Sequence, residues 1–203
     1  SILDPEKFDS DSIKNRLGLN NKKVVMFLGT PRAHKGIQEL FMAIEKINNP
    51  DVILVLVGAD SSIQSHIDNM KSNQDKVVVF PKIPFKNLPE YLAVADILVI
   101  PQRRTSDTEG QIPAKLFDAM AMAKPIITTP ISDIPEVLGE NGFFIEPEDP
   151  GQLANTIEYI LSHPEEALLK GKKARERCKE RYDLKVLEKE LNLQIEKLEL
   201  RQS

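Results

Sequence analysis

The chain has 203 residues, 41% of them hydrophobic and 29% charged, which is the make-up of an ordinary globular domain long enough to bury a core without a disulfide or metal staple. Twenty-seven Lys and Arg against 31 Asp and Glu leave a net charge of −4 with no basic block, which argues against a nucleic-acid partner. Cys178 is the single cysteine, so no intramolecular disulfide can form, and the longest apolar runs (residues 52–57 and 97–100) are far too short to span a bilayer.

Short β-branched runs alternate with helical patterns. After a linker-like start over residues 1–22, Lys23 to Leu28 (KVVMFL) reads as a buried strand ended by Gly29 and Pro31. Ile37, Leu40, Phe41, Ile44 and Ile47 then recur at helical spacing. Asp51 to Val57 predicts a second strand stopped by Gly58, and Ser61 to Lys71 a helix with a weaker pattern. Lys76 to Phe80 (KVVVF) predicts a third strand, with Pro81 and Pro84 bounding the loop behind it. A short helix over Leu88 to Val94 leads to a fourth strand, Asp96 to Ile100. Past a polar loop from Gln102 to Gly110, Pro113 opens a helix running to about Met122. Pro125 to Thr129 and Gly142 to Ile145 predict two more strands. From Pro150 to about Leu200 the pattern is helix after helix, and the last (residues 183–203) carries Leu184, Leu187, Leu191, Ile195 and Leu198 on one face.

Near-continuous apolar strands separated by helices predict an α/β fold, a parallel sheet of about six strands covered on both faces. Such open sheets bind ligands beyond the carboxyl ends of their strands. The loops after Leu28, Val57, Phe80, Ile100 and Thr129 are therefore where function is to be sought.

The loop Gly29-Thr30-Pro31-Arg32-Ala33-His34-Lys35-Gly36 sets two cations, Arg32 and Lys35, between a strand end and a helix start. Helix-start N–H groups would add positive potential there, which suits an anion such as a diphosphate. A solvated turn with two surface cations explains the same residues, and no GxGxxG fingerprint follows the strand. In the loop from Glu109 to Lys115, Gly110 would let a ligand approach the backbone, and Glu109 or Asp118 could accept hydrogen bonds from sugar hydroxyls. The alternative makes both of them helix-start charges. His34, His66 and His163 stand at no metal-ligand spacing, and Ser61 and Ser62 lack a nucleophile-elbow context. The Lys and Arg residues from Lys170 to Arg181, interleaved with Glu176 and Glu180, read as a solvated helix face.

In order along nearly the whole chain, these segments resemble the C-terminal, donor-binding domain of GT-B-fold retaining glycosyltransferases, the "group 1" family that includes glycogen and sucrose synthases. The stretches that carry the likeness are KVVMFLGTPRAHKG, LVLVGAD, VVVFPKIPFKNLPEYLAVADILVIP, NGFFIEPEDPGQLANTIEYIL and, most specific, EGQIPAKLFDAMAMAKPIITTPISDIPEVL. The resemblance implies a doubly wound, Rossmann-like domain over residues 1–203, half of a two-domain enzyme whose N-terminal acceptor domain is absent. It implies a nucleotide sugar as donor substrate, no further cofactor and no metal, an undetermined acceptor, and a cytoplasmic setting. Any association with a membrane surface would run through the missing half. The beginning Ser1-Ile2-Leu3-Asp4-Pro5, without an initiating Met, is likewise expected of a fragment.

By the same resemblance Lys35 binds the donor diphosphate, Gly29 admits the donor to the backbone, and Gly58 marks the turn after the second strand. Lys82 and Ile83 meet the nucleotide base, Asp118, one methylene shorter than the family's glutamate, holds the ribose hydroxyls, Ile112 and Pro113 line the sugar-phosphate, and the loop around Gln111 contributes to the choice of sugar. The sequence departs from the pattern in four places. Thr30 replaces the usual arginine, with Arg32 the nearest substitute. Glu109 and Asp118 lie nine positions apart instead of eight, so Gly110 holds the expected acidic spot. Lys124 stands for a common glycine, and Ser132 and Asp133 replace a small pair. Two rival readings are a nucleotide-sugar 2-epimerase, for which only His34 offers a histidine, and a non-catalytic nucleotide-binding or partner-docking module.

Overall fold

The structure of the chain, a computed structural model, describes residues 2–199, with the side chains of 194 and 196–199 excepted. Its elements follow in chain order as α1 (Ser10–Arg16), β1 (Lys23–Leu28), α2 (Ile37–Lys46), β2 (Val52–Val57), α3 (Gln64–Asp68), β3 (Val77–Phe80), α4 (Leu88–Val94) and β4 (Ile97–Ile100). Then come α5 (Ala114–Ala121), β5 (Ile126–Thr128), α6 (Ile134–Leu138), β6 (Phe143–Phe144), α7 (Pro150–Ser162), α8 (Pro164–Tyr182) and α9 (Leu184–Glu199). The six strands form one sheet, all neighbours parallel, in the order β3-β2-β1-β4-β5-β6.

Strand periodicity divides the apolar residues between two cores. Val24 and Met26 of β1 point to one face, where they join Leu92 of α4, Leu116 and Met120 of α5 and Ala174 of α8. Val25 and Phe27 point to the other, against Leu40 and Ile44 of α2 and Leu153 and Ile157 of α7. Each such aliphatic side chain taken out of water contributes about 1.5–3 kcal/mol. The two-sided burial explains why the strands read as unbroken apolar runs.

Three stretches differ from the sequence reading. The start expected to be linker-like folds as α1, because Asp9 accepts hydrogen bonds from the backbone N–H groups of Asp11 and Ser12 and Ile13 buries against α4. Lys14 fixes it further through Asp96, 2.8 Å away, and Asp96 also accepts from the Val24 N–H at 2.7 Å. The helix expected over Ser61 to Lys71 shortens to a 3-10 turn and α3. The cations of α8 are not simply solvated. Arg175 donates to the Ala121 carbonyl, Arg177 to those of Val137 at 2.8 Å and Glu136 at 2.7 Å, and Lys170 to that of Glu140 at 2.7 Å. The arginines satisfy carbonyls left over at the C-terminal ends of α5 and α6, and Lys170 one in the 3-10 turn Gly139–Asn141 that follows α6. Along α9, Leu184, Leu187, Leu191 and Ile195 stay exposed, and the Leu198 side chain lies outside the described residues. Among the described residues no helix is long and apolar enough to cross a membrane.

Candidate functional site

The strand order reverses between β1 and β4, and the helices that follow those two strands, α2 and α5, pack on opposite faces of the sheet. A crevice at such a point is where open parallel sheets accept ligands. Here it holds a cavity of about 640 Å³, within the usual range for a small-molecule site.

Two glycines make its floor. The Gly29 N–H donates to the Val57 carbonyl at 2.7 Å and the Gly58 N–H to that of Phe80 at 3.0 Å, so each strand ladder runs one residue past the strand end. Both residues have positive φ, +107° and +89°, and a Cβ on Gly58 would stand 3.4 Å from the Gly29 Cα. Side chains here would strain the turns and fill the floor.

The loop after β1 folds over this floor. Lys35 lines the cavity and its Nζ donates to the Thr30 carbonyl at 3.1 Å. Burial, and then the charge of Arg32, hold the Lys35 ammonium below the ordinary lysine range. Gly36 at φ +69° ends the loop and starts α2, packed directly on the Pro101 carbonyl. The loop after β4 is tied back to it, since Arg103 N–H donates to the His34 carbonyl at 2.9 Å and the Arg103 guanidinium binds Glu39 of α2. Within that loop the buried Thr108 hydroxyl donates to the Arg103 carbonyl at 2.6 Å and accepts from the Thr105 N–H at 3.0 Å. Both walls are therefore held by hydrogen bonds before any ligand arrives.

Helix α5 presents its N-terminal end and one face to the cavity. Pro113 precedes it with no side-chain cap, which leaves first-turn N–H groups and the positive end of the helix dipole toward the opening. Lys115 and Asp118, three positions apart, share the cavity face. Burial raises the Asp118 carboxyl above its ordinary value. It pushes the Lys115 ammonium down to about 7, with Lys35 adding like-charge repulsion.

Of the residues singled out in the sequence, Gly29, Lys35, Gly58, Lys82 and Ile83 come together here with Gln111, Ile112, Pro113 and Asp118. Thr30, Arg32, Glu109 and Gly110 do not line the cavity, and Arg32 and Glu109 are exposed. Among the lining residues that the sequence did not single out are Phe85, Leu88, Asp107, Lys115 and Gln102. Lys115 ends the loop from Glu109 in the sequence reading, and its spacing from Asp118 puts both on one helix face. Gln102, read as the start of a polar loop, is only 6% exposed, lines the cavity, and keeps a buried Oε1 without a partner. Among the described residues, no group of three or more His, Cys, Asp or Glu side chains is placed to hold a metal ion.

Residues 22–163 match the family described as glycosyl transferases group 1. The chain is similar to spore coat protein SA of Bacillus subtilis (strain 168), 29% identical over 178 residues that cover 81% of this chain and 46% of that protein. Two solved structures are alike in fold. One is a glycosyltransferase from Rickettsia africae ESF-5 (22% identity, all of this chain and 55% of that one, TM-score 0.83). The other is Anabaena HepE in complex with UDP-glucose (18% identity, 93% of this chain and 52% of that one, TM-score 0.80). The chain spans about half the length of the curated relatives it matches. With that family matched over most of its length, the chain belongs to the group 1 glycosyl transferases.

Proposed function

We propose that this chain is the donor-binding domain of a retaining glycosyltransferase, and that its cavity holds a nucleotide sugar for transfer to an acceptor bound by another domain. The observation that carries the reading is the meeting, at the switch point of the sheet, of a two-glycine floor, Lys35 and the uncapped start of α5. This set suits a diphosphate, because the glycines admit it to the backbone while the lysine and helix dipole favour its charge. UDP-glucose bound to HepE supports the same ligand class. In this reading Asp118 accepts from ribose hydroxyls and Lys82, Ile83 and Phe85 flank the base, which their common place in the cavity lining supports.

In the transfer, the bond between the sugar C1 and the diphosphate oxygen breaks and the diphosphate keeps the electron pair. The acceptor hydroxyl oxygen bonds to C1, and its proton leaves with the departing phosphate. Lys35 and the α5 N–H groups would stabilise the charge that grows on the leaving group. With protein cations in that role the chemistry needs no metal or further cofactor, and we place it in the cytoplasm.

A second reading is a nucleotide-binding module without transfer activity, which the exposure of Glu109 and Arg32 outside the cavity favours. Calorimetric titration of the chain with UDP-, GDP- and ADP-glucose tests the first reading. One of them should bind, and Lys35→Ala should weaken it about tenfold or more. Undiminished binding by the variant would remove Lys35 from the site. Slow release of free sugar from the bound donor would speak for the enzyme over the module.

A further inference from the structure

Two lysines share the cavity, and neither is in salt-bridge contact with the two carboxylates, Asp107 and Asp118, that line it with them. Among the described residues neither Lys35 nor Lys115 has a carboxylate within 4.0 Å. The Lys115 Nζ is instead anchored by the Leu28 carbonyl at 3.1 Å, where β1 ends, and stands 4.3 Å above the centroid of the Phe27 ring. One carbonyl and one ring face partly solvate an ammonium but do not neutralise it. Thr30 brings no charge, and Arg32 lies outside the lining. Two ammonium groups held in one open cavity, each without a carboxylate in contact, gain a close counter-charge when an anion binds between them.

We infer that Lys115 is a second cation of the anion subsite, reaching from α5 to the same diphosphate that Lys35 meets from the β1 loop. The inference rests on the reading of the cavity as a nucleotide-sugar site. The diphosphate then sits between two ammonium groups supplied by opposite walls, over the glycine floor and in front of the α5 N–H groups. Closing that pair of charges around the ligand also joins the two walls of the crevice.

A second consequence follows from the titration of Lys115. The charged groups lining the same cavity are Lys35 and His34 from the β1 loop, Lys82 after β3, Asp107 in the β4 loop, and Asp118 on α5 itself. In the empty cavity Lys115 holds its proton only up to about pH 7. An anion against it raises that limit, so binding above neutrality takes up a proton. Affinity is then greatest below about pH 7 and falls by up to about tenfold per pH unit above it, until the bound-state limit is reached. A nucleotide sugar is the right probe, because its doubly esterified diphosphate does not itself titrate near neutrality.

The test is calorimetric titration of the chain with UDP-, GDP- and ADP-glucose between about pH 6 and about pH 9, in buffers of different ionisation enthalpy. The wild-type chain should take up close to one proton per ligand above neutrality, a readout that requires no variant. Lys115→Met keeps the length of the side chain and removes its charge. It should weaken binding about tenfold or more and abolish the proton uptake around neutrality. Lys35→Ala should weaken binding but leave that uptake in place. Wild-type affinity and pH dependence in Lys115→Met would overturn the inference, while weakening by Lys35→Ala alone would leave the donor-site reading intact. Absence of binding of any of the three sugars to the wild-type chain would overturn both.

Discussion

Gly36 is the residue on which the geometry of the anion loop depends most sharply. It holds φ +69° between the turn that carries Lys35 and the first residue of α2, and an ideal Cβ there would lie 1.7 Å from the Pro101 carbonyl oxygen and 2.8 Å from its carbon. Both are backbone atoms and cannot swing aside, so Gly36→Ala must push the β1 and β4 loops apart. The left-handed conformation costs an alanine about 1–2 kcal/mol, and overpacking adds about 1–3 kcal/mol. The expected destabilisation is about 2–5 kcal/mol, a fall in Tm of about 4–20 °C for a chain of this size. Gly18→Ala is the matched control, because Gly18 has nearly the same φ, +72°, with nothing within 4 Å of its Cβ position. Thermal unfolding followed by circular dichroism compares the two. Gly36→Ala should melt clearly below Gly18→Ala, and it should also bind nucleotide more weakly because Lys35 moves with the loop. Equal melting temperatures would refute the claim that these two loops are locked backbone to backbone.

Three further outcomes follow from buried charges and their partners. Asp118→Asn should raise stability at neutral pH, because burial lifts the native carboxyl pKa above its unfolded value and makes the charged form costly. Its advantage over the parent should shrink as pH falls through that raised pKa, and its nucleotide affinity should drop several-fold if the carboxylate holds hydroxyls. Lys124 has its pKa lowered to about 8 by burial, with Asp96 opposing and Lys14 assisting, and its Nζ donates to the Ala93 carbonyl at 2.7 Å. The unfolded chain binds that proton more tightly, so Lys124 makes stability rise with pH from about 8 to about 10.5, and Lys124→Met should lose this part of the slope in denaturant titrations at several pH values. Arg175→Met should cost about 1.5–3 kcal/mol in the same assay, since it strips the Ala121 carbonyl and Asp4 of their guanidinium partner. No loss of stability would mean that the α5–α8 contact does not depend on it.

The sheet was legible because parallel strands buried on both faces leave unbroken runs such as VILVLV, and strand ends moved by a single residue, where a flanking Asp, Lys, Pro or Gly, or Thr129 and Ile145, had been included. Helix α1 was not legible by periodicity, since Ile13 is its one buried residue and the stretch owes its helix to the Asp9 cap and to docking on α4. The roles of the α8 arginines depend on carbonyls at the ends of α5 and α6, which lie about 40 or more residues away in the chain and leave no local trace. In the site, Gly29, Lys35 and Asp118 could be singled out by residue type at strand ends and helix starts. Lys115 and Gln102 could not, because whether a polar side chain faces water or a cavity is decided by the opposite loop. Arg32 shows the converse, a cation in the right segment whose side chain the turn directs outward.

The central claim is that the cavity beyond β1 and β4 holds a nucleoside diphosphate. Backbone amide shifts of the isotope-labelled chain, followed while UDP, GDP or ADP is added, test it most directly. One of the three should perturb Gly29, Gly58, Ile83 and the first turn of α5 together, and the perturbations should weaken in Lys35→Ala. Absence of any perturbed amide, or perturbations gathered instead at the smaller groove lined by Phe41, Met42 and His66 between α2 and α3, would contradict the account.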